Sequence, residues 1–257
     1  MSAVVHVWDM GMLCQYFHAP GGAQYGGSRF VSKVRTFARK DDACRIILAG
    51  DSARDSTWRI ELFPKYKANR PERDAATQMA LDEQHTIARQ QLKEDGATFL
   101  MAHSYEADDV AATVATRVAE AGLCAVVFSS DKDMCQLVSD DIRLHDGHFE
   151  MTRQLVHTTH GVYPEQIADY LAVIGDGCDN IPGAKGIGPR GAKELFTKYG
   201  NLRTMLQESK RLVEANPSVK LPLERKLLAS ASEVCMYRRL TEVCRNVPIA
   251  MPWERCA

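Results

Sequence analysis

Residues 97–115 read ATFLMAHSYEADDVAATVA. The apolar run Ala97–Ala102 has the length and composition of a buried strand. Further on, Val110, Val114 and Val118 recur every four residues, as in a helix that buries one face. Between run and stripe stand Glu106, Asp108 and Asp109, three carboxylates within four residues. Like charges this close oppose one another's ionisation. A helix N-terminus offsets that by only about 0.3–1 kcal/mol per exposed carboxylate. The stretch is therefore a βα unit with an acidic loop that needs a neutralising partner.

The same grammar extends outward. Short apolar runs recur at AVVHVW (3–8), CRIILA (44–49) and CAVVFS (124–129), separated by segments of helical character at Ser28–Arg39, 72–95 and Glu106–Ala121. This alternation predicts an α/β fold with a mostly parallel central sheet flanked by helices. VSDDIRLHDGHFEM (138–151) reads as strand, turn and strand around Asp146-Gly147. Beyond about residue 160 helical patterns dominate: Pro164–Ile174, Pro189–Tyr199, a short piece near 201–208 and Leu221–Ser232. YRRLTEV (237–243) is expected to be a late strand or extended return. The expected division is an α/β core over 1–160 and a helical part over 161–257.

No apolar run approaches the ~18 residues of a membrane span, and the N-terminus lacks a secretory signal. The eight cysteines form no CxxC pair, which suits reduced thiols. His145, His148, His157 and His160 form two HxxH pairs, but no cysteine lies at a useful spacing for zinc. The net charge of −1 argues against a uniformly basic nucleic-acid binder, yet it hides an uneven distribution. Arg59–Arg73 carries five basic residues against two acidic ones, and Gly183–Arg203 carries five against one.

The acids fall where ligands bind in an open α/β sheet, beyond the carboxyl ends of the strands. Asp9 ends the first run, Asp51 follows the second, Glu106, Asp108 and Asp109 follow the third, and Asp131 and Asp133 follow the fourth. Helix caps would explain any one of them, but hard divalent cations explain the set. Mg²⁺ takes carboxylate oxygens and keeps waters that a substrate phosphate can displace. Two such ions about 3.5–4 Å apart can serve phosphodiester hydrolysis.

Two further stretches point to phosphate. In GDGCDNIPGAKGIGPRGAKEL (175–195), Gly186, Gly188 and Pro189 read as a helix-hairpin-helix turn. Its free N–H groups, with Lys185, Arg190 and Lys193, suit a DNA backbone. In RIELFPKYKANRPERD (59–74), Tyr66, Lys67 and Arg70 are expected on neighbouring helical positions, an aromatic for a base beside cations for phosphates.

Taken together, the strand-ending Asp9, Asp51, WRIELFPKYKANRP, YEADDVAATVA, SSDKDMCQLVS and GDGCDNIPGAKGIGPRGAKELF resemble the 5′-nuclease family across nearly the whole chain. That family includes the N-terminal nuclease domain of bacterial type I DNA polymerases, stand-alone phage flap endonucleases and short bacterial homologues. The resemblance implies a PIN-like 5′-nuclease core with a helical arch at about 65–90 and a helix-three-turn-helix at about 164–208. The arch, between Pro71 and His85, is polar with few large apolar residues, a composition compatible with disorder in the absence of DNA. It implies 5′→3′ exonuclease and flap endonuclease activity with two or more Mg²⁺ or Mn²⁺ ions, and a stand-alone member, since no polymerase segment follows. The implied ligands are Asp9, Asp51, Glu106, Asp108, Asp131, Asp133, Asp176 and Asp179, with Asp109 between or behind them. Lys67 and Arg70 match cations that contact the scissile phosphate, and Tyr66 a neighbouring aromatic. A monovalent cation, K⁺, is implied on the carbonyls of Val173, Ile174, Pro182, Ala184 and Ile187.

The implied substrate is DNA with 5′ ends or 5′ flaps, met by a monomer in a bacterial or phage-infected cytoplasm. The sequence departs from the family pattern at Met10-Gly11 and at Gly50, where an aromatic often precedes the aspartate. A non-catalytic structure-specific DNA-binding protein and a PIN-like ribonuclease stand as alternatives.

Overall fold

The structure is a computed structural model and describes residues 3–52 and 56–251. It divides into two compact units. The first comprises Met1–Glu61, Pro71–Met151 and Cys244–Ala257; the second comprises Leu62–Arg70 and Thr152–Val243.

The first unit is built on β1 (Val4–Asp9), β2 (Ala43–Ala49), β3 (Thr98–Leu100), β4 (Cys124–Phe128), β5 (Ile142–His145) and β6 (Glu150–Met151). These form one sheet in the order β3-β2-β1-β4-β5-β6, parallel except for the final β5/β6 pair. The apolar runs thus become strands, and Asp146-Gly147 forms the expected turn, with Gly147 at φ 98°. Side chains alternate across the sheet. Trp8, Leu48, Val126 and Phe128 enter a core with Phe30, Val34 and Leu92, from α2 (Gly22–Lys40) and α4 (Ala75–Glu94). Trp8 and Phe128 stack with ring centroids 3.8 Å apart. Val5, Val7 and Asp9 point to the opposite face, and α5 (Ala107–Glu120) packs on β1, β2 and β4. The remaining helices of this unit are α1 (Leu13–Phe17) and α3 (Trp58–Leu62), whose last residue falls across the division.

The polar segment after Pro71 is ordered as α4. Leu81, Gln84, Ala88 and Leu92 are its buried residues, a helical stripe against α2 that composition alone obscures. Asp74 caps it by accepting the Thr77 N–H at 2.9 Å.

The second unit is helical: α6 (Arg153–His160), α7 (Ile167–Ile174), α8 (Pro189–Tyr199), α9 (Leu202–Ala215), α10 (Pro222–Ala229) and α11 (Ala231–Thr241). Several expectations change here. The piece near 201–208 extends to Ala215, because Asn201 caps it and apolar residues continue at helical spacing until Asn216-Pro217. The expected helix Leu221–Ser232 is split at Ser230. YRRLTEV is helical through Thr241, since Val234, Tyr237, Leu240 and Thr241 share a face that α11 turns to α7. Helix α6, capped by Thr152, was not expected. Among the described residues no helix is long and apolar enough to cross a membrane, and Cys14, Cys44, Cys124, Cys135, Cys178, Cys235 and Cys244 are free thiols.

Gly50 has a tertiary reason. A Cβ there would lie 2.4 Å from the Phe99 ring, which itself carries the Arg89 guanidinium at 3.6 Å. Phe99 from β3 thus fills the space beside the residue that leads into Asp51. Gly50→Ala should cost about 1–3 kcal/mol by overpacking. The same substitution in a Phe99→Ala background should cost much less, a non-additivity that urea unfolding of the single and double variants will show.

Candidate metal centre and nucleic-acid interface

Strand register assembles the first group of acids. Asp9 ends β1 opposite Ala49 of β2, so Gly50 and Asp51 follow immediately beyond the paired residues. On the other side, Trp8 pairs with Phe128 of β4, which brings Ser129 level with Asp9. The Ser129 hydroxyl donates to Asp9 Oδ2 at 2.8 Å and accepts the Asp131 N–H at 3.2 Å. Asp131 opens the 3₁₀ turn Lys132–Leu137 by accepting the Asp133 N–H at 2.9 Å. Asp51 Oδ1 accepts the N–H of Ala107, the first residue of α5, at 2.8 Å. That contact ties the β2 acid to the helix whose start carries Glu106 and Asp108.

Asp9 is 8% exposed and also accepts the Gly11 N–H at 2.7 Å. A Cβ on Gly11 would come within 3.0 Å of Asp9 Oδ1, so glycine suits this close approach. Burial, and then the charges of Asp51 and Asp131, push the Asp9 carboxyl up to about 7, while the bonds from Ser129 and Gly11 pull the other way. The surroundings of Asp9 thus disfavour its ionised form, as burial beside like charges does.

Asp109 stands apart from this group. It is fully buried, and Arg59, itself 3% exposed, grips it through two bonds of 2.6 and 2.8 Å. The Cys244 N–H reaches Asp109 Oδ1 at 2.7 Å and the Trp58 indole reaches Oδ2 at 3.3 Å. Arg59 also binds Glu106 at 3.0 Å. Asp109 therefore has its acceptor capacity taken up by protein donors, which makes it a brace for Glu106. Sequence reasoning counted Arg59 only as part of a basic stretch, and no local pattern marks an arginine that will be buried.

The second unit carries the other group. Asp179 is 6% exposed; it accepts the Tyr66 hydroxyl at 3.0 Å and an Arg70 N–H at 2.8 Å, and Lys67 Nζ lies 4.0 Å away. Tyr66 to Arg70 form turns in place of the expected helix, with Lys67 at φ 55°. That left-handed conformation costs of order 1–3 kcal/mol in a non-glycine residue. It is held by the bond from the Lys67 N–H to the Asp179 carbonyl at 3.0 Å, and by Asn69 and Asn180 bonding to Gly177 and Lys65 carbonyls. Tyr66 is 4% exposed, so its ring is closed to a stacking base, and its hydroxyl is the group that reaches Asp179. Asp176 is also buried; its peptide exchanges two bonds with Ile181, and its side chain accepts the Cys178 N–H at 3.0 Å.

Between α7 and α8 the backbone crosses itself closely. Gly175 and Gly183 adopt φ 84° and 73°, and a Cβ on Gly183 would sit 2.4 Å from the Gly175 nitrogen. The Val173 carbonyl accepts the Ala184 N–H at 2.7 Å, and the Ala184 carbonyl accepts the Ile187 N–H at 3.1 Å. Each of these carbonyls keeps a second lone pair. Ile187 is buried, whereas Lys185, Gly186, Gly188 and Arg190 face solvent around the start of α8. The Lys193 stem lies over Gly161. Lys226 of α10 donates to the Gly186 carbonyl at 3.1 Å and adds a cation to the loop that the sequence did not assign.

The Arg59–Asp109 pair yields a stability prediction. Arg59→Met should destabilise the chain by about 3–5 kcal/mol, because it leaves Asp109 buried and uncompensated. Arg59→Met combined with Asp109→Leu should recover most of that loss, as measured by thermal or denaturant unfolding.

Residues 14–166 match the family described as 5′-3′ exonuclease, N-terminal resolvase-like domain, and residues 162–257 match 5′-3′ exonuclease, C-terminal SAM fold. The Flap endonuclease Xni of Aeromonas hydrophila subsp. hydrophila is 30% identical over 228 residues, covering 84% of this chain and 81% of that protein. DNA polymerase I of Mycobacterium bovis is 33% identical over 247 residues, or 91% of this chain. The match takes up only 26% of the polymerase, so the chain spans about a quarter of that relative's length. Among solved structures, T5 5′-exonuclease with bound divalent metal ions (zinc) shares the fold at a TM-score of 0.79 and 23% identity, over 94% of this chain and 90% of that one. Both matched segments and the near-full-length relative lead to one statement: this chain belongs to the 5′-3′ exonuclease family.

Proposed function

We propose that this chain is a divalent-metal-dependent 5′→3′ exonuclease and structure-specific flap endonuclease, hydrolysing DNA phosphodiesters to 5′-phosphate and 3′-hydroxyl ends. The observation that carries this reading is the convergence of Asp9, Asp51 and Asp131 at the ends of adjacent parallel strands, with Asp9 driven toward its protonated form by burial and by the charges of Asp51 and Asp131. An all-oxygen, carboxylate-rich set fits Mg²⁺ or Mn²⁺ and offers nothing to a soft metal. Asp9, Asp51, Glu106, Asp108 and Asp131 would hold one ion, and the family resemblance adds Asp133, Asp176 and Asp179 as ligands for another. When bound, such ions activate water and neutralise charge on the phosphodiester.

The chain's own residues do the rest. Ser129 and the Gly11 amide orient Asp9, and Arg59 with Asp109 orients Glu106. Arg70 and Tyr66 hold Asp179 while Lys67 stays nearby, so these cations are anchored beside an acid of the proposed ligand set. There they would stabilise charge developing on the scissile phosphate. Lys185, Arg190 and Lys193, with the free amides of Gly186, Gly188 and the start of α8, would hold duplex backbone without reading sequence. The carbonyls of Val173, Ile174, Pro182, Ala184 and Ile187 would take K⁺, which draws phosphate to the same loop. The solvent-facing loop favours DNA over the ribonuclease reading, and the strand-end acids favour catalysis over binding alone.

Asp131→Asn should abolish 5′-flap cleavage in Mg²⁺ while the chain keeps its fold, because removing a charge relieves repulsion on Asp9. Mg²⁺ should raise the melting temperature of the wild type more than that of the variant, as a ligand of the folded state must. Flap cleavage by Asp131→Asn at the wild-type rate would refute the metal-centre assignment.

The hairpin loop makes a separate prediction. Flap binding measured in Ca²⁺ should weaken steeply with salt. Substituting Lys185 and Arg190 together by alanine should flatten that log–log slope by about one to two, at roughly 0.9 per lost phosphate contact. An unaltered slope would leave the loop as a structural turn.

A further inference from the structure

After α11 the chain returns to the first unit at Cys244 and runs along α5. Two α5 side chains hold this return by its backbone. Thr113 Oγ1 donates to the Cys244 carbonyl at 3.2 Å and accepts the Val247 N–H at 3.0 Å. Arg117 donates to the Ile249 and Val247 carbonyls at 2.6 and 3.2 Å. Val247 and Met251 are fully buried beneath it.

The consequence lies at its leading end. The Cys244 N–H binds Asp109, the brace of Glu106 at the start of α5. The next residue, Arg245, donates to the Gln136 carbonyl at 2.8 Å, and the Gln136 side chain donates to the Asp133 carbonyl at 2.8 Å. Consecutive residues thus grip the two elements that follow β3 and β4 and carry Glu106, Asp108, Asp131 and Asp133. These elements start from different strands, and like charges on them push apart. We propose that Cys244–Ile249 is a strap that holds the acid-bearing turn 131–137 at a set distance from the start of α5, with Arg245 as a positioning residue for divalent-cation binding. This rests on the metal-dependent reading above and deepens it.

A merely structural contact, or a phosphate contact by this exposed side chain, would leave cation affinity alone. The test uses Arg245→Ala and Arg245→Lys in the full chain. Mn²⁺ titration followed by electron paramagnetic resonance, without DNA, should show about tenfold weaker binding in Arg245→Ala, the scale of losing a group that orients a ligand. Lysine, which can donate to the same carbonyl, should restore most of the affinity. Amide hydrogen exchange in EDTA should quicken over 131–137 in Arg245→Ala while α2 stays protected. In flap cleavage kcat should fall with KM nearly unchanged. Wild-type Mn²⁺ affinity and exchange in Arg245→Ala would overturn the strap and leave the nuclease reading standing, and weaker DNA binding alone would make Arg245 a phosphate contact. No Mn²⁺ binding by the wild type would overturn the nuclease reading and the strap's role with it, even if exchange over 131–137 changed.

Discussion

Mutual repulsion of carboxylates at the carboxyl edge of a parallel sheet is the constraint on which the rest of the first unit depends. Asp9 is buried beside Asp51 and Asp131, and its carboxyl is pushed up to about 7. Such a cluster persists only if the backbone beneath it is rigid and each acid is oriented by a donor. The rigidity comes from the sheet, whose Trp8–Phe128 stack and α2/α4 layer close one face. Orientation comes from groups close at hand: Ser129 and the Gly11 amide for Asp9, the Ala107 amide for Asp51, and the Asp133 amide for Asp131.

Arg59 solves the same problem by a different route. A buried guanidinium bound twice to Asp109 and once to Glu106 neutralises one acid so that its neighbour can be held in place. Burial of that pair carries a desolvation cost that Coulomb attraction need not exceed. Its worth is geometric, because the α5 start must keep one orientation while α5 also supports the returning chain. In the second unit, Asp179 is held by Tyr66 and Arg70 from a segment distant in sequence, and the strained backbone of Lys67 is part of the same arrangement.

The hairpin between α7 and α8 meets a milder demand. In the proposed function it exposes amides and cations to a polyanion while keeping its own backbone closely crossed. Glycines at 175 and 183 allow the crossing, Ile187 anchors the tip, and Lys226 ties α10 to the Gly186 carbonyl. Residues that face outward are thereby free to contact phosphate, and those that face inward set the loop's shape.

Much of this was legible in the sequence. Parallel strands announce themselves as apolar runs of limited length, and acids placed just after them mark a sheet edge, so the α/β core, its acidic edge and the glycine-rich hairpin could be read directly. Those features depend on neighbours a few residues apart. What tertiary structure alone decided depends on partners far apart in the chain. The role of Asp109 follows from Arg59, 50 residues away, and from Cys244, 135 residues away. The burial of Tyr66 follows from Asp179, 113 residues away. Gly50 is explained by a ring on another strand, and YRRLTEV is helical because α7 supplies an apolar partner. Local sequence sets which residues carry charge and which strands end in acids. Whether a given acid is exposed to a cation or consumed by an arginine is set by packing, because only the folded chain determines which donors reach it.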